Sequence, residues 1–169
     1  GTRTLLDYSI AELLPYIDWT PFFITWELAG KYPKILNDQI VGEAASALFE
    51  DAMDMISQLM KDNILKVEAV LGFWPANSDG DDIILFEDLT HSRELTRLHH
   101  LRQQTNKPNR QANLCLSDFV APLDTKIDDF IGGFAVTAGK GLEEIVADYN
   151  AQKDDYNAIL VKAIADRLA

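Results

Sequence analysis

Only one cysteine, Cys115, occurs in 169 residues. Neither an internal disulfide nor a cysteine metal centre can form from it, and a reducing cytosol is its natural compartment, so a cytoplasmic location is expected. No run of 18 apolar residues exists, which predicts no membrane-spanning helix. A basic, then apolar, then small-residue leader is also missing, and no secretion signal is expected. Positive charge is scarce: Lys and Arg number 15 against 27 Asp and Glu, a formal net charge of -12. That balance opposes nucleic acid and anionic membrane surfaces, both of which attract basic proteins. It suits a cationic ligand or a partner with a basic face, and otherwise serves solubility.

Catalytic frames are equally sparse. The sequence has no GxSxG, GxGxxG, Walker or HExxH stretch, so no catalytic residue and no metal ligand is assigned. Asp79-Gly-Asp-Asp82 resembles a calcium loop only superficially, because the alternating ligands and closing Glu are missing. His99 and His100 are adjacent, and on a helix they would point about 100° apart, which suits one core and one exposed imidazole better than a shared zinc. Cys115 lies between Leu114 and Leu116 and reads as a buried, inert thiol.

What is present describes a globular α+β chain. Hydrophobic residues make up 47% and charged residues 25%, enough apolar side chain to offset chain entropy. Ser9 and Glu12 have capping-box spacing, and Pro15 limits the helix that they start. Thr20 with Pro21 suits the start of a second helical turn. Ala44, Ala45, Leu48, Phe49, Ala52, Met55, Ile56 and Leu59 recur at helical spacing, so an amphipathic helix is expected over 41–60, stopped by Asp62 and Asn63. Val67 to Trp74 and Ile83 to Phe86 read as strands of an antiparallel hairpin with a long turn-rich loop over 76–82. Thr90 to Thr105 has helical character, 106–113 reads as a polar loop and 114–120 as extended. Phe130 to Val136 reads as a strand whose Gly132 and Gly133 suggest a bulge or a close approach. From Leu142 to Ala169 the helical spacing is continuous. Glu143-Glu144 and Asp154-Asp155 read as solvated helix faces.

Asp18 stands out, because it lies inside Tyr16-Ile-Asp-Trp-Thr-Pro-Phe-Phe23. A carboxylate among aromatics is costly to bury unless it meets donors or a cation. Two roles remain open. Asp18 caps the turn at Thr20 to Phe22, which spacing favours, or it faces a ligand.

The same octapeptide, with Trp26, Leu28-Ala-Gly-Lys-Tyr-Pro33 and Ile35-Leu36, closely resembles the activation domain of cobalamin-dependent methionine synthases. Gly72-Phe-Trp-Pro-Ala-Asn77, Gly80-Asp-Asp-Ile83 and His99-His-Leu-Arg-Gln-Gln-Thr105 follow in the family's order. So do Leu116-Ser-Asp-Phe-Val-Ala-Pro122, Ile131-Gly-Gly-Phe-Ala-Val-Thr137 and Asp154-Asp-Tyr-Asn157. The resemblance runs from Leu13 to Ala169 and implies a bent antiparallel sheet with flanking helices, including a long C-terminal helix. It implies that residues 1–169 form one partial, truncated domain, the N-terminal portion of the activation domain.

By this resemblance the domain binds S-adenosylmethionine and docks on the cobalamin-binding domain of a methyltetrahydrofolate–homocysteine methyltransferase. With an electron from flavodoxin or an equivalent reductase, it remethylates oxidised cobalamin in methionine biosynthesis. Zinc belongs only to the parent's homocysteine domain. The family's acidic ligand contact falls on Asp18, which reverses the preference for a cap. Glu144 and Asp166 match acidic positions that face the cobalamin domain; without the resemblance they read as solvated helix faces. The family's main ligand motif, an Arg followed by Pro, Gly and Tyr, lies after this long helix and has no match here. The chain alone is therefore expected to be inactive, to bind S-adenosylmethionine weakly or not at all, and to expose apolar surface that favours self-association. The alternative is a freestanding acidic interaction module without methyl chemistry. A hydrolase using paired carboxylates or His99 and His100 has no catalytic frame to support it.

Overall fold

A computed structural model describes residues 1–108 and 111–169. Among the described residues five strands form: β1 (Thr2–Leu5), β2 (Lys66–Asp79), β3 (Asp82–Phe86), β4 (Glu94–His99) and β5 (Asp129–Lys140). They pair in the order β1-β2-β3-β4, with β5 also on β2, and the β2–β3 and β3–β4 ladders are antiparallel. The helices are α1 (Ile10–Leu13), α2 (Thr20–Thr25), α3 (Gly42–Asp62), α4 (Leu142–Ala151) and α5 (Asp155–Leu168). The α+β class, with an antiparallel sheet, flanking helices and a C-terminal helix, is the one that the sequence predicts. Among the described residues no helix is long and apolar enough to cross a membrane. The chain divides into two compact units, 1–3 with 71–134 and 4–70 with 135–169.

The helical unit, 4–70 with 135–169, is built around α3. Ala45, Leu48, Ala52, Met55, Ile56 and Leu59 are buried along one stripe, while Ala44 turns outward. Asn63 ends the helix in the left-handed region at φ 51°, and its N–H donates to Leu59 O at 3.0 Å. Asparagine tolerates that conformation better than most residues. Phe22, Phe23 and Trp19 from the α2 region and Leu160, Val161 and Ile164 from α5 complete the core. Truncating a fully buried Phe of this kind costs roughly 3–5 kcal/mol. The continuous helical spacing after Leu142 is divided in two: Lys153 takes φ 59°, and Asp154 caps α5 by accepting the Asn157 N–H at 3.0 Å. Both helices face α3, with the Tyr149 hydroxyl on Met55 Sδ at 3.5 Å and the Tyr156 hydroxyl on Asp51 Oδ2 at 2.5 Å. Burial, then the Asp51 hydrogen bond, pushes Tyr156 up to about 12.

In the strand unit, 1–3 with 71–134, Ala76, Ile83 and Leu85 form a small core with Trp74, Leu98, Val120 and Ile131 packed on it. The hairpin loop is short: Asp79 pairs with Asp82, and only Gly80 and Asp81 lie between. Gly80 has φ 62°, as the first central residue of a type II′ turn requires. The helix expected over 90–105 is instead β4. Its residues Glu94 to Leu95 and Thr96 are exposed on both sides, so no alternation marks it as a strand. Residues 114–120 hold a 3-10 turn, Leu116–Phe119, rather than an extended run. The polar loop expected over 106–113 falls partly outside the described residues. Gly132 does mark a close approach: an added Cβ would sit 2.8 Å from the Phe73 ring.

Gly141 joins β5 to α4 at φ 88°, and a Cβ there would lie 2.4 Å from Ile64 O. Gly80 has the same hand of backbone but open space around it. Gly141→Ala is therefore expected to cost about 2–3 kcal/mol in urea denaturation, against roughly 1 kcal/mol for Gly80→Ala. Equal losses would contradict this reading of the Ile64 contact.

Candidate functional site

Pro15 permits only a tight 3-10 turn at Leu14–Tyr16, after which Ile17 is extended. The turn delivers Asp18 to the start of α2, where Pro21 needs no hydrogen-bond acceptor. Asp18 Oδ1 accepts the Thr20 N–H at 3.0 Å. Trp19, not Thr20, is the backbone cap. The capping box expected at Ser9 is not closed, since the Ser9 side chain makes no cap bond and only its carbonyl accepts the Glu12 N–H.

Burial separates Asp18 from its neighbour. The Trp19 side chain is buried against Phe22 at 5.3 Å and Phe49 at 5.0 Å, both edge-to-face. Asp18 itself is exposed. The desolvation cost that a carboxylate among aromatics implies is avoided, because the indole goes inward and the carboxylate stays in water. A carboxylate has room for about four hydrogen bonds. The Thr20 N–H occupies one position, and the rest can meet a cation.

A groove of about 400 Å³ opens in the same unit, lined by Leu5, Tyr8, Leu13, Tyr16, Val67 and Leu168 among others. Tyr16, at its rim, is 85% exposed. Two residues along the chain from Tyr16 is Asp18, and two before Leu168 is Asp166. Asp166 is exposed on α5 and its Oδ2 accepts from Arg167 at 2.5 Å. Glu144 is exposed in the first turn of α4, where the helix dipole favours a negative charge. All three carboxylates thus lie in the helical unit and face water, each on its own element. Tyr16 and Leu168 are groove residues that the sequence does not mark; the one signal for Tyr16 is an aromatic directly after Pro15.

The remaining candidates resolve into structural roles. Asp81 and Asp118 clamp Arg102 at 2.7 Å each, and Arg102, followed by the Cys115 N–H, holds the Asp118 carboxyl down to about 2. His99, exposed, lies with Nδ1 3.0 Å from Asp82 Oδ2, while His100 keeps Nε2 buried. Cys115 is buried and free, its Sγ 3.5 Å from Asp81 O.

Residues 9–169 match the family model described as vitamin B12 dependent methionine synthase, activation domain. Among solved structures, the crystal structure of the MetH reactivation domain bound to AdoHcy superimposes with a TM-score of 0.95 at 50% sequence identity. That match covers 100% of this chain and 51% of the other, so the chain spans about half the length of the structure it matches.

In the free protein the capping bond gives Asp18 a measurable role. Asp18→Ala is expected to lower stability by about 1 kcal/mol in thermal denaturation, and Asp18→Asn, which keeps the acceptor, by a few tenths. Equal losses for the two variants would remove the cap.

Proposed function

The chain belongs to the family of vitamin B12-dependent methionine synthase activation domains, and from that premise we propose that it is part of a module that binds S-adenosylmethionine and presents its methyl group to cobalamin. The observation that carries this reading is the match of the whole chain, at 50% identity, to a reactivation domain bound to AdoHcy. In the proposal both units belong to one partial activation domain of a cytoplasmic methyltransferase. That domain docks on the cobalamin-binding domain, and flavodoxin or an equivalent reductase supplies an electron. The isolated chain is inactive, since it contributes binding and orientation only.

The chemistry fits the residues. S-adenosylmethionine carries a sulfonium and an ammonium charge, and exposed carboxylates favour both. Asp18 has unused acceptor capacity on a fixed turn, which supports its assignment as a ligand contact. Cobalamin, held by the neighbouring domain, would supply the reduced cobalt as methyl acceptor; the protein's share is proximity and orientation. In this reading Glu144 and Asp166 face the cobalamin domain, where a carboxylate beside an imidazole would stabilise its protonated form and the docked state with it. Phe119 and Phe134, 74% and 76% exposed, support a reading in which the rest of the domain covers apolar surface that would otherwise drive self-association.

Calorimetric titration of S-adenosylmethionine into the longer protein that includes the second half tests the site. Asp18→Asn keeps the helix cap and removes the charge. It is expected to weaken binding about tenfold, the loss of one charge-assisted hydrogen bond. Unchanged affinity would take Asp18 out of the site. Glu144→Gln with Asp166→Asn is expected to leave that affinity alone and to weaken docking on the cobalamin domain.

A further inference from the structure

Within the strand unit, Asn77 is 2% exposed near the C-terminal end of β2 and uses its whole amide. Its Nδ2 donates to Ala121 O at 3.0 Å and to Ile127 O at 2.9 Å. Both donor hydrogens are spent on carbonyls, so Oδ1 is fixed toward His91 Nδ1, 2.6 Å away. An amide oxygen only accepts, so Nδ1 carries the hydrogen. In neutral His91, Nε2 then holds a bare lone pair. That atom is buried and has no hydrogen-bond partner. Asp128 Oδ1 lies 3.9 Å from it, on a side chain that is 76% exposed. The imidazole stacks on buried Phe86 at 4.6 Å and 22°.

We propose that His91 is a proton-operated latch that fastens the segment 121–129 to the turn between β3 and β4. A proton on Nε2 converts the unpaired lone pair into a donor aimed at Asp128 and places a cation over the Phe86 face, where cation–π attraction adds to the ion pair. Imidazole is the side chain that changes charge between about pH 5 and 8. Protonation adds this contact to the proton-independent bonds that Asn77 makes to Ala121 O and Ile127 O, so the segment is held more tightly when His91 is charged.

Asp88 and Asp128 both lie within reach of the imidazole charge, and Asp128 is the one beside Nε2. Asp88, on the same turn, is occupied by the Thr90 N–H at 2.8 Å and hydroxyl at 2.5 Å. Arg93 is 76% exposed and paired with Glu87 at 3.1 Å. Asp129 accepts the Ala121 and Phe130 N–H groups, each at 2.8 Å. From β2 and β3, neutral Asn77 and Phe86 meet the ring. The proposal rests on this geometry alone and stands or falls apart from S-adenosylmethionine binding.

Imidazole ¹⁵N correlation spectra and backbone hydrogen exchange of the 169-residue protein, recorded at pH 8 and pH 5.5, test it. At pH 8 the His91 tautomer is expected to carry its hydrogen on Nδ1. On acidification Nε2 gains a proton, and exchange over 121–129, normalised to intrinsic rates, slows at least threefold. Asp128→Asn, a change at an exposed side chain, keeps the tautomer and abolishes the slowing. A hydrogen on Nε2 at pH 8, equal protection at both pH values, or full slowing in Asp128→Asn would each overturn the latch.

Discussion

Edge-to-face packing of Trp19 on Phe22 and Phe49 fixes where Asp18 stands. Trp19 is buried while Asp18 stays exposed, and the indole has by far the larger apolar surface to hide. Its burial beneath α3 turns the neighbouring carboxylate outward, and the Thr20 N–H then holds that carboxylate in place. A cap and a ligand contact are therefore compatible roles for one side chain. The first uses one acceptor position and the second uses the charge.

Legibility followed the strength of the local pattern. The long stripe of α3 and its left-handed stop at Asn63 were readable because a 21-residue helix repeats its signal several times. β4 was not, since this edge strand sets Glu94 and Thr96 beside Leu98 on one face and Arg97 and His99 beside Leu95 on the other, so neither face reads as apolar. The break between α4 and α5 was hidden because Lys153, not a glycine, takes the positive φ while apolar spacing continues on either side. Asn77 and Ser78 looked like turn chemistry, yet both are buried in β2 and bind the backbone of the segment 120–127. Buried polar residues with a full set of partners imitate loops in any one-dimensional reading.

The site itself was legible only in part. Asp18 was marked by the misfit of a carboxylate among aromatics, and its capping bond agrees with the spacing. Glu144 and Asp166 carried no such misfit; exposed acids on helices are ordinary, and only the family resemblance distinguishes them. His91 was masked by the expectation of a helix through 90–105. As part of a turn beside β2 it meets Asn77 and Asp128, which no helical spacing would bring together.

In the proposed function the capping carboxylate of α2 is also the cation contact. The ¹³C carboxyl resonance of Asp18, followed in the longer protein as S-adenosylmethionine is added, addresses it directly. A saturable shift at Asp18, with the exposed carboxyl of Asp124 in the strand unit unmoved, is the predicted result. Saturation of the protein with ligand while the Asp18 resonance stays fixed would contradict it.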